Sequence, residues 1–145
     1  HILIPTDGSE LATKGLEQGL ALAKALQASV TIVTVTELWS AYELAIEARS
    51  GKHNPVERFE KEASETATRV LEAAAAKASA AGVSAKTIHI PDMHPAEGII
   101  QAATDNGCDV IVMSSHGRRG MRRFILGSQT AEVVTQTAIP VLVIR

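Results

Sequence analysis

The stretch "DVIVMSSHGRRGMRRFILGSQT" (residues 109–130) joins a short apolar run to a loop with three glycines and four arginines. The run "DVIVMS" (109–114) is continuous rather than alternating, which is typical of a strand buried on both faces of a parallel sheet. A helix is predicted over residues 128–136, with Ser128 as its N-cap. Glycines let backbone N–H groups approach an anion, and a helix N-terminus attracts one. On the spacing alone, a surface turn and a phosphate cradle both stay open.

The same alternation of strand and helix patterns extends over the rest of the chain. Four further runs read as strands: "HILIP" (1–5), "VTIVTVT" (30–36), "AKTIHI" (85–90) and "PVLVI" (140–144). Between them lie helical stripes over 16–26 and 59–74, and a third segment that begins at Pro95 and ends near Asn106 and Gly107. The order βαβαβαβαβ predicts an α/β fold: an open five-stranded parallel sheet with helices on both faces.

Two polar, glycine-bearing loops predict the strand order. They follow strand 1 ("PTDGS", 5–9) and strand 4 ("SSHGRRG", 114–120). Open parallel sheets bind ligands at the carboxyl ends of the strands, where the strand order reverses. If the two loops form one site, strands 1 and 4 are neighbours at that reversal. This condition predicts the order 3-2-1-4-5 rather than the flavodoxin-like order 2-1-3-4-5.

Composition excludes several classes of protein. The 145 residues suit one domain, and a net charge of −2 argues against general binding to nucleic acid or to an anionic membrane. No apolar stretch approaches the roughly 20 residues that span a bilayer, and no signal peptide is visible. Cys108 is the one cysteine and is expected in the core, so we expect a reducing, cytoplasmic setting.

Known phosphate and nucleic-acid motifs do not match the strand 4 loop. Neither G-x-x-x-x-G-K-[ST] nor a G-x-G-x-x-G after strand 1 occurs. "GRRG" (117–120) has the G-x-x-G of a KH domain, but there that loop joins two helices, whereas here it follows a strand. The four arginines could face a triphosphate or solvent. No paired carboxylates or nucleophile–base arrangement are evident, which argues against an enzyme, although slow ATP hydrolysis stays open.

Three segments resemble the universal stress protein family: "ILIPTDGS" (2–9), "CDVIVMSSHG" (108–117) and "LGSQTAEVVTQTAIPVLVI" (126–144). The family's nucleotide-binding branch carries G-x-x-G, nine residues, then G-[ST]. Here Gly117 is followed by nine residues and then by Gly127 and Ser128, but Ser114 stands at the first glycine. The resemblance implies one universal stress protein domain over 1–145, with a Rossmann-like, adenine nucleotide alpha hydrolase-like fold. It implies an ATP-binding stress-response regulator, or alternatively a dimeric interaction protein of the same family that binds no nucleotide.

The resemblance also implies the residues of a nucleotide site. Asp7 would lie beside the ribose or adenine, and Val35 would line the adenine pocket through its backbone. The alternative for Asp7 is a local Asx-turn or helix cap in "TDGS". The ligand would be ATP, ADP or AMP, and a Mg²⁺ ion could accompany it, held mainly by phosphate oxygens and water. The full set is Pro5, Thr6, Asp7, Val35, Met113, Ser114, Ser115, His116, Gly117, Gly127, Ser128, Gln129 and Thr130.

Strand 5 predicts a homodimer. In the order 3-2-1-4-5 it is an edge strand, and an apolar edge invites pairing with a second chain. Its apolar residues are Val141, Leu142, Val143 and Ile144, and the family resemblance points to the same interface. We expect no metal site of the protein's own, since His53, His89 and His94 are scattered. The long connection 37–58 with Trp39 is either a packed helical excursion or functional.

Overall fold

The computed structural model describes residues 1–37, 55–115 and 126–145. These residues form five strands and four helices in alternation. In chain order they are β1 (Ile2–Pro5), α1 (Glu10–Leu26), β2 (Val30–Val35), α2 (Pro55–Ala80), β3 (Ala85–Ile90), α3 (Pro95–Asp105), β4 (Val110–Ser114), α4 (Ser128–Gln136) and β5 (Val141–Ile144). The helix α2 begins inside the predicted connection 37–58, so that connection is shorter than predicted. Residues 38–54 of it, with Trp39 and Tyr42, lie outside the described residues.

All strand pairs are parallel, and the sheet order is β3-β2-β1-β4-β5. Ile2 of β1 pairs with Val30 of β2 on one side and with Val110 of β4 on the other. The chain therefore builds the sheet outward from β1 in one direction and then returns to build from β4 in the other. The predicted α/β class and the order 3-2-1-4-5 are confirmed.

The core has two layers, one on each face of the sheet. Neighbouring residues of β1 point to opposite faces, so each strand contributes to both layers. One layer contains Ile2, Ile4, Leu16, Leu20, Ala23, Val30, Ile32, Leu71, Ala74, Ala78 and Val112, from the strands, α1 and α2. The other contains Leu3, Val33, Ala96, Ile99, Ala102, Ala103, Cys108, Ile111, Met113 and Val133, from the strands, α3 and α4. Burial raises the pKa of the Cys108 thiol, in keeping with its predicted place in the core.

Two glycines on the inner face of α1 let that helix approach the strands closely. A methyl group on Gly15 would lie 2.9 Å from the backbone nitrogen of Ser114, at the carboxyl end of β4. A methyl group on Gly19 would lie 2.6 Å from Cδ1 of Ile4. The helix α1 thus rests directly on the end of β4.

The predicted N-cap of α4 is wrong by one residue. Gly127 is the N-cap, because its backbone is extended (φ −57°, ψ 148°) and its carbonyl accepts from Ala131 N–H at 2.9 Å. Ser128 is already the first helical residue. Gly127 N–H donates to the carbonyl of Ser115 at 2.8 Å, and this bond holds Gly127 outside the helix.

None of the helices in the described ranges combines the length and the apolar character needed to cross a membrane.

Candidate functional site

The carboxyl ends of β1 and β4 lie side by side where the strand order reverses. Leu3 pairs with Ile111, so β1 and β4 run side by side as neighbours in the sheet. Thr6 N–H donates to the carbonyl of Val33 at 2.8 Å, so the residue after β1 is also fixed to β2. Ser115 N–H donates to the carbonyl of Ile144 at 2.7 Å and is fixed to β5 in the same way. The starts of the two loops are thus each fixed to an outer neighbour, at the carboxyl ends of two adjacent strands.

The loop after β1 is a turn braced by its own side chains. Asp7 Oδ1 accepts from Ser9 N–H at 2.9 Å, and Thr6 Oγ1 accepts from Gly8 N–H at 3.2 Å. Ser9 then caps α1 by accepting from Ala12 N–H at 3.2 Å. The Asx-turn predicted as the alternative for Asp7 is therefore confirmed. A carboxylate has four lone pairs on two oxygens, so this turn orients Asp7 and is compatible with further hydrogen bonds to it.

The first turn of α4 is attached to the end of β4 by two hydrogen bonds. Gly127 N–H binds the Ser115 carbonyl, and Thr130 Oγ1 donates to the Ser114 carbonyl at 3.0 Å. The first hydrogen bond of the helix runs from the Ala131 N–H to the Gly127 carbonyl. The N–H groups of residues 128–130 therefore have no acceptor within the helix. Aligned peptide dipoles add partial positive charge there. This turn can accept an anion beside the Asp7 loop.

The side chain of Gln129 contacts the neighbouring helix α3. Its Oε1 accepts from the backbone N–H of Ala96 in α3 at 3.0 Å. This bond occupies the acceptor oxygen of the side chain, so a phosphate contact from residue 129 would use an N–H of its backbone or of its side-chain amide. The sequence placed Gln129 in the nucleotide site without predicting this bond, because nothing in its spacing identifies Ala96 as a partner.

Val35, the last residue of β2, packs closely beneath α3. A methyl group on Gly98 would lie 2.8 Å and 2.9 Å from the two Cγ atoms of Val35. Beyond Val35, Thr36 Oγ1 and His89 Nε2 are hydrogen-bonded at 2.9 Å. Burial lowers the pKa of His89, against the opposing effect of the nearby Asp92 carboxylate. A neutral His89 therefore braces the ends of β2 and β3 at pH 7, a role that sequence reasoning missed.

The remaining predicted site residues are Pro5, Met113, Ser114, His116 and Gly117. Pro5 is half-buried at the end of β1. Met113 has its side chain in the core layer with α3 and α4, so its contribution to a site would come from its backbone. Ser114 lies on the opposite face, towards Gly15 of α1. His116 and Gly117 lie outside the described residues, as do the four arginines.

Among residues 1–37, 55–115 and 126–145, no group of three or more His, Cys, Asp or Glu side chains could hold a metal ion.

The chain matches the Universal stress protein family over residues 1–145. It is 30% identical over 146 residues to universal stress protein YxiE of Bacillus subtilis, covering 99% of this chain and 97% of the relative. It is 31% identical over 157 residues to universal stress protein MJ0577 of Methanocaldococcus jannaschii, with 99% and 93% covered.

Solved structures show the same fold. The structure of MJ0577 superposes with a TM-score of 0.79 at 29% identity, over 99% of this chain and 93% of that one. A universal stress protein in complex with cAMP gives a TM-score of 0.73 at 20% identity, over 99% and 95%. One from Archaeoglobus fulgidus in complex with dAMP gives 0.64 at 17% identity, over 99% and 96%. With the family match over its whole length, the chain belongs to the universal stress protein family.

Proposed function

We propose that this chain is an adenine-nucleotide-binding regulatory protein of the stress response. The observation that carries the proposal is the first turn of α4, which two hydrogen bonds attach to the end of β4. Its leftover N–H groups lie at the carboxyl end of β4, the neighbour of β1, and β1 leads into the loop that contains Asp7. An anion-binding helix start next to a hydroxyl-binding carboxylate suits the phosphate and ribose of one ligand. We place the protein in the cytoplasm, where Cys108 stays reduced.

Relatives with the same fold support the choice of an adenine nucleotide. The two universal stress proteins in complex with cAMP and with dAMP hold ligands that share an adenine, a sugar and a phosphate. The present chain retains Gly127 and Ser128 of the family motif. Its Ser114 departs from the motif, but the side chain of Ser114 lies on the α1 face, away from the core layer that α4 joins.

The proposed binding mode divides the ligand among three parts of the chain. Backbone N–H groups at residues 128–130 bind phosphate, Asp7 accepts from a ribose hydroxyl, and Val35 forms a wall for the base. A Mg²⁺ ion would be held mainly by phosphate oxygens and water, which suits a site whose protein donors are mostly N–H groups. Binding rather than turnover is the proposed activity, and the output is a change of conformation or of protein partner.

Thermal unfolding with and without nucleotide tests the proposed function. ATP at 100 times its dissociation constant should add about 2.7 kcal/mol to the free energy of unfolding and raise Tm by several degrees. ADP and AMP should stabilise less, since ADP lacks one and AMP two of the phosphates of ATP. Inorganic triphosphate at the same concentration is the control for a general ionic effect. If none of the three nucleotides stabilises the protein at millimolar concentration, the alternative of an interaction protein without nucleotide is correct.

We further propose that two copies of the chain pair through β5. In the described part of the chain β5 pairs only with β4, and Leu142 is 43% exposed. The carbonyls of Pro140 and Ile144 accept from β4 and from Ser115, so the backbone groups of Val141 and Val143 face the open edge. A groove of about 410 Å³ between α1 and β5 runs beside this edge; its lining is Lys14, Glu17, Gln18, Val143, Ile144 and Arg145.

Replacing Val143 with proline is expected to convert a dimer to a monomer. The substitution removes an N–H from the open edge, but it removes none from the ladder between β4 and β5. Sedimentation at micromolar concentration measures the change. Val143→Ala is the matched control, because it shortens the same side chain but keeps the backbone N–H. A monomeric unsubstituted chain, or a dimer that survives Val143→Pro unchanged, would reject this interface.

A further inference from the structure

One hydrogen bond joins the starts of two neighbouring helices. Gln129 is the second residue of α4, and its Oε1 accepts from the N–H of Ala96, the second residue of α3. The N-cap of α3 is His94, which makes no side-chain capping bond. The cap acceptor for α3 therefore comes from α4 rather than from its own sequence.

This bond satisfies a donor that water does not reach easily. Ala96 is fully buried, and a buried backbone N–H needs a partner. A side chain at residue 129 without an acceptor would leave that N–H unsatisfied. The bond also adds a third attachment to the first turn of α4, after the two that hold it to β4 through Gly127 and Thr130. The turn is fixed to the sheet on one side and to α3 on the other.

The side chain of Gln129 is uncharged, and this matters for anion binding as much as its position does. The side chain lies between two helix N-termini, where aligned dipoles favour a negative charge. A glutamate here could accept the same bond, and a charge-assisted bond is stronger than a neutral one. The chain instead carries an amide, which keeps the tether without placing a fixed negative charge beside the N–H groups of residues 128–130.

We propose that Gln129 is a positioning residue: its amide tethers the first turn of α4 to α3 and leaves that turn attractive to a polyphosphate. The part of this inference that concerns the ligand rests on the proposed function, whereas the hydrogen bond between α4 and α3 does not depend on it. It makes the site sensitive to two separate properties of residue 129, its acceptor and its charge. Two substitutions separate them, since Gln129→Glu keeps the acceptor and adds charge, and Gln129→Leu removes the acceptor without adding charge.

The experiment measures hydrogen exchange of the Ala96 amide and the affinities for ATP and adenosine in the full chain. Glu132→Gln is the matched control. Glu132 lies one turn further along α4, where its Oε2 is 3.8 Å from His94 Nδ1, an exposed contact between the same two helices. The Glu132→Gln substitution should leave hydrogen exchange of the Ala96 amide unchanged and should change ATP affinity by no more than about twofold.

We expect Gln129→Glu to keep the Ala96 amide protected, to hold or raise Tm, and to weaken ATP by roughly tenfold through repulsion. Its adenosine affinity should stay unchanged, a split that a purely structural role would not produce. Gln129→Leu should speed Ala96 exchange, lower Tm by several degrees and weaken ATP more than adenosine.

Three results would overturn the inference. Unchanged Ala96 exchange in Gln129→Leu would refute the tether, and equal losses of ATP and adenosine in Gln129→Glu would refute the charge argument. Absence of ATP binding by the unsubstituted chain would refute the proposed function, and with it the ligand half of this inference. Ala96 exchange would still decide the tether in that case, so the two failures are distinguishable.

Discussion

Replacing Gly127 with valine is expected to lower ATP affinity by about 100-fold or more, the loss expected when one or two charge-assisted hydrogen bonds can no longer form. Gly127 is the N-cap of α4, and its φ of −57° is open to any residue, so the substitution does not strain the backbone. Its N–H can still donate to the Ser115 carbonyl. The new branched side chain would stand at the helix start, where a phosphate must approach the N–H groups of residues 128–130.

Calorimetric titration measures this loss, and far-ultraviolet circular dichroism checks that the fold is kept. Ser128→Ala is the matched control at the next residue, because it removes a hydroxyl while retaining the backbone N–H. Its effect should be clearly smaller than that of Gly127→Val, because it removes at most one hydrogen bond to phosphate and leaves the backbone N–H groups accessible. If Gly127→Val binds ATP as the unsubstituted chain does, the phosphate site does not lie at the start of α4.

The second large effect is expected at Gly15, where alanine should lower the free energy of unfolding by about 1–3 kcal/mol, the usual range for overpacking. The added methyl group would lie 2.9 Å from the backbone nitrogen of Ser114, and a strand backbone cannot rotate away. Urea unfolding gives the free energy. The same displacement of the end of β4 should lower the affinity for ATP, because the carbonyls of Ser114 and Ser115 hold the first turn of α4.

Gly19→Ala is the control for this effect. It lies one turn along the same face of α1, and its methyl group would meet Cδ1 of Ile4 at 2.6 Å, the end of a side chain that can change rotamer. Both substitutions gain the same helix propensity over glycine, roughly 0.5–1 kcal/mol. Gly19→Ala should therefore cost less than Gly15→Ala, and equal costs would contradict the role given to the end of β4.

The contact at Gly15 also bears on the serine that replaces the first glycine of the family motif. Cβ of Ser114 lies 3.3 Å from where a methyl group on Gly15 would stand. The side chain of Ser114 is thus accommodated by the absence of one at residue 15. Sequence spacing identified Ser114 as a departure from the motif, but only the packing of α1 on β4 shows what makes room for it.

Sequence patterns predicted the fold well because hydrophobic periodicity is local. Continuous apolar runs such as "DVIVMS" identified buried strands, and the two loops after strands 1 and 4 selected the strand order correctly. The range of α4, 128–136, was predicted correctly, but its N-cap was misplaced by one residue because the bond from Gly127 to Ser115 is a tertiary contact. The hydrogen bond that Ala96 N–H donates to Gln129 and the hydrogen bond between His89 and Thr36 were missed for the same reason. Spacing along the chain does not reveal partners 33 or 53 residues apart.

In the proposed binding mode, phosphate binds at the start of α4 and the sugar binds at the loop that contains Asp7. Amide chemical-shift mapping with ATP and with adenosine tests it most directly, because each backbone N–H reports its own environment. Saturating ATP is expected to shift the amides of Ser128, Gln129 and Thr130 together with those of Asp7 and Gly8, whereas adenosine should shift only the Asp7 loop and the end of β2. Shifts confined to other parts of the chain, or none at millimolar ATP, would contradict the account.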